Sequence, residues 1–142
     1  MTTDRMARSF LRQAMYRLAG VDRAIADHQY AIAVRWSQEA VEPALKAALR
    51  AAGVEPPRWH DVGAVLTANA ARLPASLREI ADRLVSISSD LRQDRELAFY
   101  GDEAGDRTPD ELYSEADARR AHADATFAVE HVRDALLTGD PS

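Results

Sequence analysis

Apolar side chains recur every three or four residues through the first part of the chain, which is the spacing of one face of an α-helix. They are Phe10, Ala14, Leu18, Val21 and Ile25. We therefore predict a first helix from Asp4 to about Ala26. The opposite, solvated face holds Arg5, Arg8, Arg12 and Arg23. Arg17 lies at the edge of the apolar face, so we expect it to be ion-paired or at an interface.

Residues 30–52 predict a second helix with a wide apolar side. Its polar residues are Arg35, Gln38, Glu39, Glu42, Lys46 and Arg50. Because one neighbour cannot cover so wide an arc, we place this helix at the centre of a bundle and against a second copy of the chain. The residues assigned to that interface are Ile32, Trp36, Val41 and Leu45. Pro43 removes a backbone hydrogen bond and predicts a kink at residues 39–43.

The second half of the chain predicts further helices. Asp61 is a suitable N-cap for a third helix over residues 61–72. Pro74 suits a first helical position, and the apolar seam of the next helix is Leu77, Ile80, Leu84, Ile87 and Leu91. We interpret residues 99–110 as a loop and predict a last helix from the N-cap Ser114 to about Leu137. The fold class is thus all-α: an antiparallel up-and-down bundle of four to five helices, in a single domain over residues 1–142.

Composition narrows the class of protein. Hydrophobic residues make up 46% of the chain and cysteine is absent, so a packed core is expected without disulfides or cysteine-based metal sites. No secretory signal and no stretch long enough to span a bilayer is present, so we expect a cytoplasmic protein with no membrane partner. Residues 1–50 carry eight Lys or Arg and five Asp or Glu, whereas residues 101–142 carry four and eleven. The net charge of −5 indicates that the chain as a whole lacks the concentrated basic surface that phosphate binding needs, and it leaves room for a local basic face in the first half only.

Motifs of common cofactor and metal sites are missing. The four histidines form no pair at the spacing of a helical zinc site, and no Glu-x-x-His pair suits a carboxylate-bridged di-metal bundle. Neither a phosphate-binding loop nor a nucleophile elbow occurs. We expect no metal and no cofactor.

One stretch resembles a known family. Trp36-Ser37-Gln38-Glu39-Ala40-Val41-Glu42-Pro43-Ala44-Leu45-Lys46-Ala47, followed by Gly53 and His60-Asp61-Val62, is similar to the second helix and the start of the third in the HEPN family (higher eukaryotes and prokaryotes nucleotide-binding). The likeness covers roughly residues 5–100. It implies a helix bundle that commonly dimerises. Many members are RNase toxins encoded beside a minimal nucleotidyltransferase that neutralises them, and others are noncatalytic.

The RNase motif of that family is Arg, then four to six residues, then His. Arg95 fits the arginine position, but Tyr100 and Asp102 stand where the histidine is expected. Histidine titrates near neutral pH, whereas tyrosine, with a pKa of about 10, is a poor base there. The resemblance therefore implies a degenerate RNase motif, and whether the chain is an enzyme stays open.

Several roles remain open for these residues. The candidate catalytic residues are Arg95, Tyr100 and Asp102, and the candidate RNA- or nucleotide-binding residues are Arg92, Arg95, Glu42, Lys46 and His60. The same segment suits a groove for a partner protein. Alternatively, Arg95 pairs with Asp94, Asp102 or another acid and only closes the end of the bundle. His60-Asp61 suits a helix start, and Trp36 and Trp59 suit core or interface anchors.

We expect a homodimeric, noncatalytic or weakly catalytic HEPN protein. It acts in a toxin–antitoxin-like pair with a minimal nucleotidyltransferase, or it binds RNA or a nucleotide. The alternatives are a metal-independent RNase toxin and a scaffold or interaction bundle. By analogy with the family, Tyr100 or Tyr113 is a candidate for modification by a nucleotidyltransferase partner.

Overall fold

The computed structural model describes residues 5–58 and 61–137, and within them the chain is helical and lacks strands. The helices are α1 (Arg5–Ala26), α2 (Tyr30–Ala51), α3 (Val62–Ala68), α4 (Ala75–Arg78), α5 (Ala81–Tyr100), α6 (Pro109–Leu112) and α7 (Glu115–Leu137). A 3₁₀ turn, Ala70–Arg72, follows α3. The all-α class predicted from the apolar spacing is confirmed, and the long helices α1, α2, α5 and α7 form the bundle.

Helix α2 occupies the centre. It packs against α1, α5 and α7, and no residue from Tyr30 to Arg50 is exposed. Its alanines and leucines form much of the main core, and even Gln38, which we assigned to the polar side, is buried and bonds to Glu42. The buried position predicted for this helix is confirmed, and its neighbours within the same chain provide the cover. The helix continues through Pro43.

The short elements differ from the sequence predictions. The expected third helix stops at Ala68, where the Asn69 side chain donates to the Val65 carbonyl at 2.9 Å, and gives way to the 3₁₀ turn. Pro74 caps α4 rather than beginning a long helix, and the chain bends at Ile80 before α5. Asp61 caps α3 as predicted, since its Oδ1 accepts from the backbone N–H of Gly63.

Residues 99–110 are more ordered than the predicted loop. Helix α5 includes Phe99 and Tyr100, and a backbone bridge joins Asp102 to Arg107. Helix α6 then begins at Pro109, because the side chains and backbones of Thr108 and Glu111 satisfy each other in a capping box. Ser114 and Asp117 make the same reciprocal bonds at the start of α7. Local capping therefore extends helical structure on both sides of this segment.

Candidate functional site

The carboxylate of Glu39 lies among three arginines that come from α1, α2 and α5. Arg17 Nη1 is 3.5 Å from Oε1, and Arg35 Nε is 3.3 Å from Oε2. Arg95 Nη2 is 4.0 Å from Oε2. The Glu39 side chain is 22% exposed, and the three guanidinium groups also reach solvent. Three positive charges thus face one negative charge, and these four residues carry a net positive charge. We call these four residues the arginine cluster.

Aromatic rings support two of these arginines. The Arg35 guanidinium stands 4.2 Å from the centre of the Phe99 ring, and that of Arg17 stands 5.9 Å from the Trp36 ring. Such cation–π contacts hold the guanidinium planes while leaving their N–H groups available. Phe99 in the last turn of α5 thereby orients the Arg35 side chain, and Trp36 in the first half of α2 orients that of Arg17.

Arg92 extends the site along α5, one turn before Arg95. Its Nη1 lies 3.2 Å from Asp61 Oδ1, the same oxygen that caps α3. One carboxylate therefore positions both a helix start and an arginine. His60, the residue before Asp61 and one of our candidate binding residues, lies outside the described residues, as does Trp59.

The expected catalytic group is not assembled around Arg95. Tyr100 is 68% exposed, and its ring packs 4.6 Å from that of Phe99. The Asp102 carboxylate accepts from the backbone N–H of Gly105 and shapes the turn after α5. In the part of the chain that the structure describes, neither side chain bonds to Arg95, which pairs with Glu39 rather than with Asp94 or Asp102.

Two further candidates lie along α2. Arg35, Glu39, Glu42 and Lys46 follow at three- and four-residue spacings, so they occupy one strip of the helix. Glu42 Oε2 accepts a hydrogen bond from the Gln38 side chain at 3.3 Å. Within residues 5–58 and 61–137, neither Glu42 nor Lys46 forms an ion pair with Arg92 or Arg95, so Glu42 and Lys46 extend the strip without joining the arginine cluster.

The interface residues predicted on α2 separate into two groups. Val41 and Leu45 are buried in the core of their own chain, which corrects their assignment to a contact with a second copy. Helices α1, α5 and α7 already cover the wide apolar arc on which that assignment rested. Ile32 and Trp36 remain partly exposed and stay available to a partner.

Sequence reasoning missed Arg35 and Phe99 as site residues, whereas the row of Glu39, Glu42 and Lys46 was a candidate to face the segment 92–102. The four-residue spacing of Arg35 and Glu39 was a signal for an ion pair within the helix. It did not indicate that Arg17 and Arg95 would join them, since those residues lie on other helices.

A groove next to the cluster is lined by Arg12, Gln13, Met15, Tyr16, Arg17, Glu39 and Pro43.

A second concave region has the opposite charge. This acidic cleft, about 310 Å³ in volume, is lined by Asp90, Asp94, Asp117 and Asp124 with Tyr113 and Arg120 among others. Burial raises the pKa of the Asp94 and Asp124 carboxyls. Burial also raises the pKa of Tyr113, whose hydroxyl lies 3.3 Å from Asp94 Oδ1. The carboxylates of this cleft therefore disfavour phosphate there, in contrast to the arginine cluster.

None of the described helices has the length and apolar composition needed to cross a bilayer.

Comparison with known proteins identifies one family. The model of the HEPN domain matches residues 7–135, which include the arginine cluster and all four long helices except the ends of α1 and α7. No curated protein and no solved structure matches the chain. Because the family model covers most of the sequence, the chain belongs to the HEPN domain family.

Proposed function

We propose that this HEPN domain binds RNA through the arginine cluster and does not cleave it by the Arg–His chemistry of the family. The observation that carries this proposal is the convergence of Arg17, Arg35 and Arg95 on the partly exposed Glu39. Guanidinium groups bind phosphate oxygens through paired N–H donors, as they bind a carboxylate. Glu39 thus occupies a place that a phosphate group would take.

Stability alone gives a weak reason for this arrangement. Ion pairs at exposed sites typically contribute about 0–1 kcal/mol, because solvent and salt screen them. Grouping three arginines also costs mutual repulsion, and the single carboxylate offsets only part of it. An anionic ligand would offset the remainder, and this favours binding over a purely structural role.

The extent of the basic surface favours a polymer over a single nucleotide. Arg12 lines the groove beside Arg17, and Arg92, which pairs with Asp61, lies one turn from Arg95, so arginines continue beyond the cluster. Binding several phosphates along one chain releases several counterions, which gives strong dependence on salt. We therefore place RNA ahead of a mononucleotide.

The alternative of metal-independent RNA cleavage has less support. It requires Arg95, Tyr100 and Asp102 to act on one phosphodiester, yet the Asp102 carboxylate is bound within a turn. Tyrosine also lacks the near-neutral titration that lets histidine transfer protons to and from a ribose hydroxyl. We therefore propose that cleavage is absent or weak.

Binding is tested with a short fluorescein-labelled single-stranded oligoribonucleotide. Changing Arg17, Arg35 or Arg95 singly to Gln should weaken binding, and it should also reduce the slope of log affinity against log salt by up to about one for each phosphate that is no longer bound. Arg119→Gln is the matched control, because Arg119 forms an exposed pair with Glu115 on α7. Equal affinities of the cluster variants and the control would contradict the proposal.

The fate of the RNA tests the second half of the proposal. After incubation of the purified protein with RNA, gel analysis should show the oligonucleotide intact. Efficient cleavage that is abolished in Arg95→Gln would instead support the RNase alternative.

A pairing with a minimal nucleotidyltransferase is a second proposal, and the exposure of Tyr100 favours it. Of the two candidate tyrosines, only Tyr100 presents its hydroxyl openly, because the hydroxyl of Tyr113 donates to the Asp94 carbonyl at 3.0 Å. In such a modification the Tyr100 oxygen attacks the α-phosphorus of a nucleoside triphosphate, pyrophosphate leaves and the phenol loses its proton. Mass spectrometry after co-expression with a minimal nucleotidyltransferase should locate the nucleotidyl group on Tyr100, and its absence from Tyr100→Phe would confirm the site.

Self-association remains a further proposal for this domain. Ile32 and Trp36 are the predicted interface residues that stay partly exposed, so they are the contacts to test. Light scattering at micromolar concentration should give the mass of a dimer, and Ile32→Glu should give that of a monomer. A monomeric mass for the unchanged protein would exclude a stable dimer.

A further inference from the structure

The outer face of α1 carries a row of arginines that have no ion-pair partner in the part of the chain that the structure describes. Arg5, Arg8 and Arg12 follow at spacings of three and four residues, so they lie on one face of the helix. All three are exposed, whereas Arg17 and Arg23 of the same helix each pair with a carboxylate. We call Arg5, Arg8 and Arg12 the α1 arginine row.

The residues around this row suit a protein partner. Met6 is 48% exposed and Met15 is 38% exposed, and Met6 lines a concave region together with all three arginines of the row. Arginine and methionine are enriched in protein interfaces and lysine is depleted, and α1 contains no lysine. A partner for this face should therefore offer carboxylates to the guanidinium groups and apolar side chains to the methionines.

The acidic cleft of the same chain has these complementary features. The four carboxylates that line it are Asp90 and Asp94 on α5, and Asp117 and Asp124 on α7. Arg120 is the one arginine among its lining residues, and Leu97, which is 43% exposed, adds apolar surface. Because burial raises the pKa of the Asp94 and Asp124 carboxyls, a cationic group in the cleft would stabilise their charged forms.

The spacing of the charges also agrees. The arginine row spans seven residues of α1, from Arg5 to Arg12, and the two α7 carboxylates of the cleft, Asp117 and Asp124, also lie seven residues apart. Both separations are roughly 10 Å along the helix, at about 1.5 Å per residue. The row and the cleft share no lining residue, and among the described residues no ion pair joins them within one chain. Each surface therefore stays open to a second copy.

We propose that the α1 arginine row of one copy docks in the acidic cleft of a second copy. The contact joins two different surfaces, so it is head-to-tail, and it is separate from the self-association proposed for Ile32 and Trp36. A head-to-tail pair keeps a free row at one end and a free cleft at the other, so further copies can add to it. The contact does not depend on RNA binding, and salt should weaken it because opposite charges hold it together.

The test follows the mass of the protein by sedimentation, with Ile32→Glu present throughout to remove the other proposed contact. Above micromolar concentration and at low salt, the mass should rise with concentration beyond that of two chains, and added salt should return it to that of one chain. The double variant Arg5→Glu, Arg8→Glu should stay monomeric under the same conditions. Asp90→Lys should also stay monomeric, and since Asp90 is exposed, its replacement leaves the core intact.

Mixing the two variants distinguishes a head-to-tail contact from a symmetric one. The arginine variant keeps its cleft and Asp90→Lys keeps its arginine row, so an equal mixture should form pairs of chains and nothing larger. The matched controls are Arg23→Glu on α1 and Glu96→Lys on α5, which carry the same charge changes at exposed residues that line neither surface. Both controls should associate as the parent protein does.

Several results would overturn the inference. A constant monomeric mass of the parent at low salt would do so, as would association that neither charge reversal weakens. If the mixture of the two variants stays monomeric while the parent associates, the row and the cleft do not bind each other. If the arginine variant binds RNA more weakly but associates like the parent, the row belongs to the RNA surface, so the inference fails and the proposed RNA binding stands.

Discussion

Arg17 on α1 and Glu39 on α2 form an ion pair, with Nη1 3.5 Å from Oε1. The position of Arg17 at the edge of the apolar face predicted that it would be paired or at an interface, and the pairing is confirmed. Because Glu39 also meets arginines of α2 and α5, this contact brings α1 into the site. Residue 17 is thereby brought next to residue 95 of the same chain.

Glu39→Gln should strengthen RNA binding. The substitution removes the negative charge that competes with phosphate, and two like charges about 4 Å apart in water repel by about 1 kcal/mol. At low salt we expect affinity to rise about fivefold, with a change of only a few degrees in melting temperature. Glu55→Gln is the control. Glu55 Oε1 lies 3.2 Å from Arg50 Nη1, and this ion pair is not part of the arginine cluster. Weaker binding by Glu39→Gln would show that the carboxylate mainly positions the arginines.

Gly101→Ala should destabilise the protein more than Gly53→Ala. Both glycines have positive φ, 77° and 80°, which side chains rarely adopt. A Cβ at residue 53 would meet open space, whereas one at residue 101 would lie 2.5 Å from the Arg107 carbonyl oxygen. We expect a loss of about 1 kcal/mol for Gly53→Ala and about 2–3 kcal/mol for Gly101→Ala in urea unfolding. Equal losses would mean that the turn after α5 relaxes freely.

Leu45→Ala tests whether this residue belongs to the core or to a subunit interface. Leu45 is fully buried within its own chain, so the substitution leaves a cavity and should lower the free energy of unfolding by about 3 kcal/mol. That loss should not vary with protein concentration in thermal or urea unfolding. A loss that vanishes on dilution would place Leu45 at an interface instead.

The N-terminal cap of α7 should make the protein less stable as pH falls into the acid range. Hydrogen bonds from Ser114, above all from its backbone N–H at 2.9 Å, lower the pKa of the Asp117 carboxyl in the folded protein. Charged Asp117 therefore stabilises the fold above its unfolded pKa of about 3.9, and this contribution disappears as pH falls through the lower folded pKa.

Two substitutions separate the parts of this cap. Asp117→Asn should cost about 1 kcal/mol near neutral pH, and its stability should approach that of the unchanged protein at about pH 2. Ser114→Ala removes the hydroxyl but keeps the backbone donor, so it should retain most of the acid dependence. The measurement is the free energy of unfolding in urea at a series of pH values. If this free energy depends on pH in the same way for Asp117→Asn and for the unchanged protein, the account is contradicted.

The long helices could be predicted from sequence because their apolar spacing is a local property. The predicted first helix, residues 4–26, ends where α1 ends, and its first residue lies outside the described residues. The predicted second helix, residues 30–52, is one residue longer than α2. Asp61 and Ser114 also cap α3 and α7 as expected, since capping involves neighbours in the chain. Residues 69–80 and 99–110 were predicted less well, because turns and single helical turns depend on a few bonds that apolar spacing does not reveal.

The candidate site was only partly predictable. Arg92 and Arg95 were found by their resemblance to a family motif, and both line the basic surface. The same motif also pointed to Tyr100 and Asp102. In the structure the Tyr100 side chain is exposed to solvent, and the Asp102 carboxylate is hydrogen-bonded within the turn after α5. A motif fixes positions along the chain, whereas the last turn of α5 decides where the Tyr100 side chain lies and the turn after Gly101 decides where that of Asp102 lies.

By itself, the sequence determined that the chain forms a helix bundle with α2 at its centre, because burying so wide an apolar arc requires neighbours on several sides. Only the tertiary structure decided that α1, α5 and α7 of the same chain supply those neighbours and leave Val41 and Leu45 no access to a partner. It also decided that Arg17, Arg35 and Arg95 meet at Glu39. Contacts between helices far apart in sequence depend on how their faces pack, and that packing is set by the whole core at once.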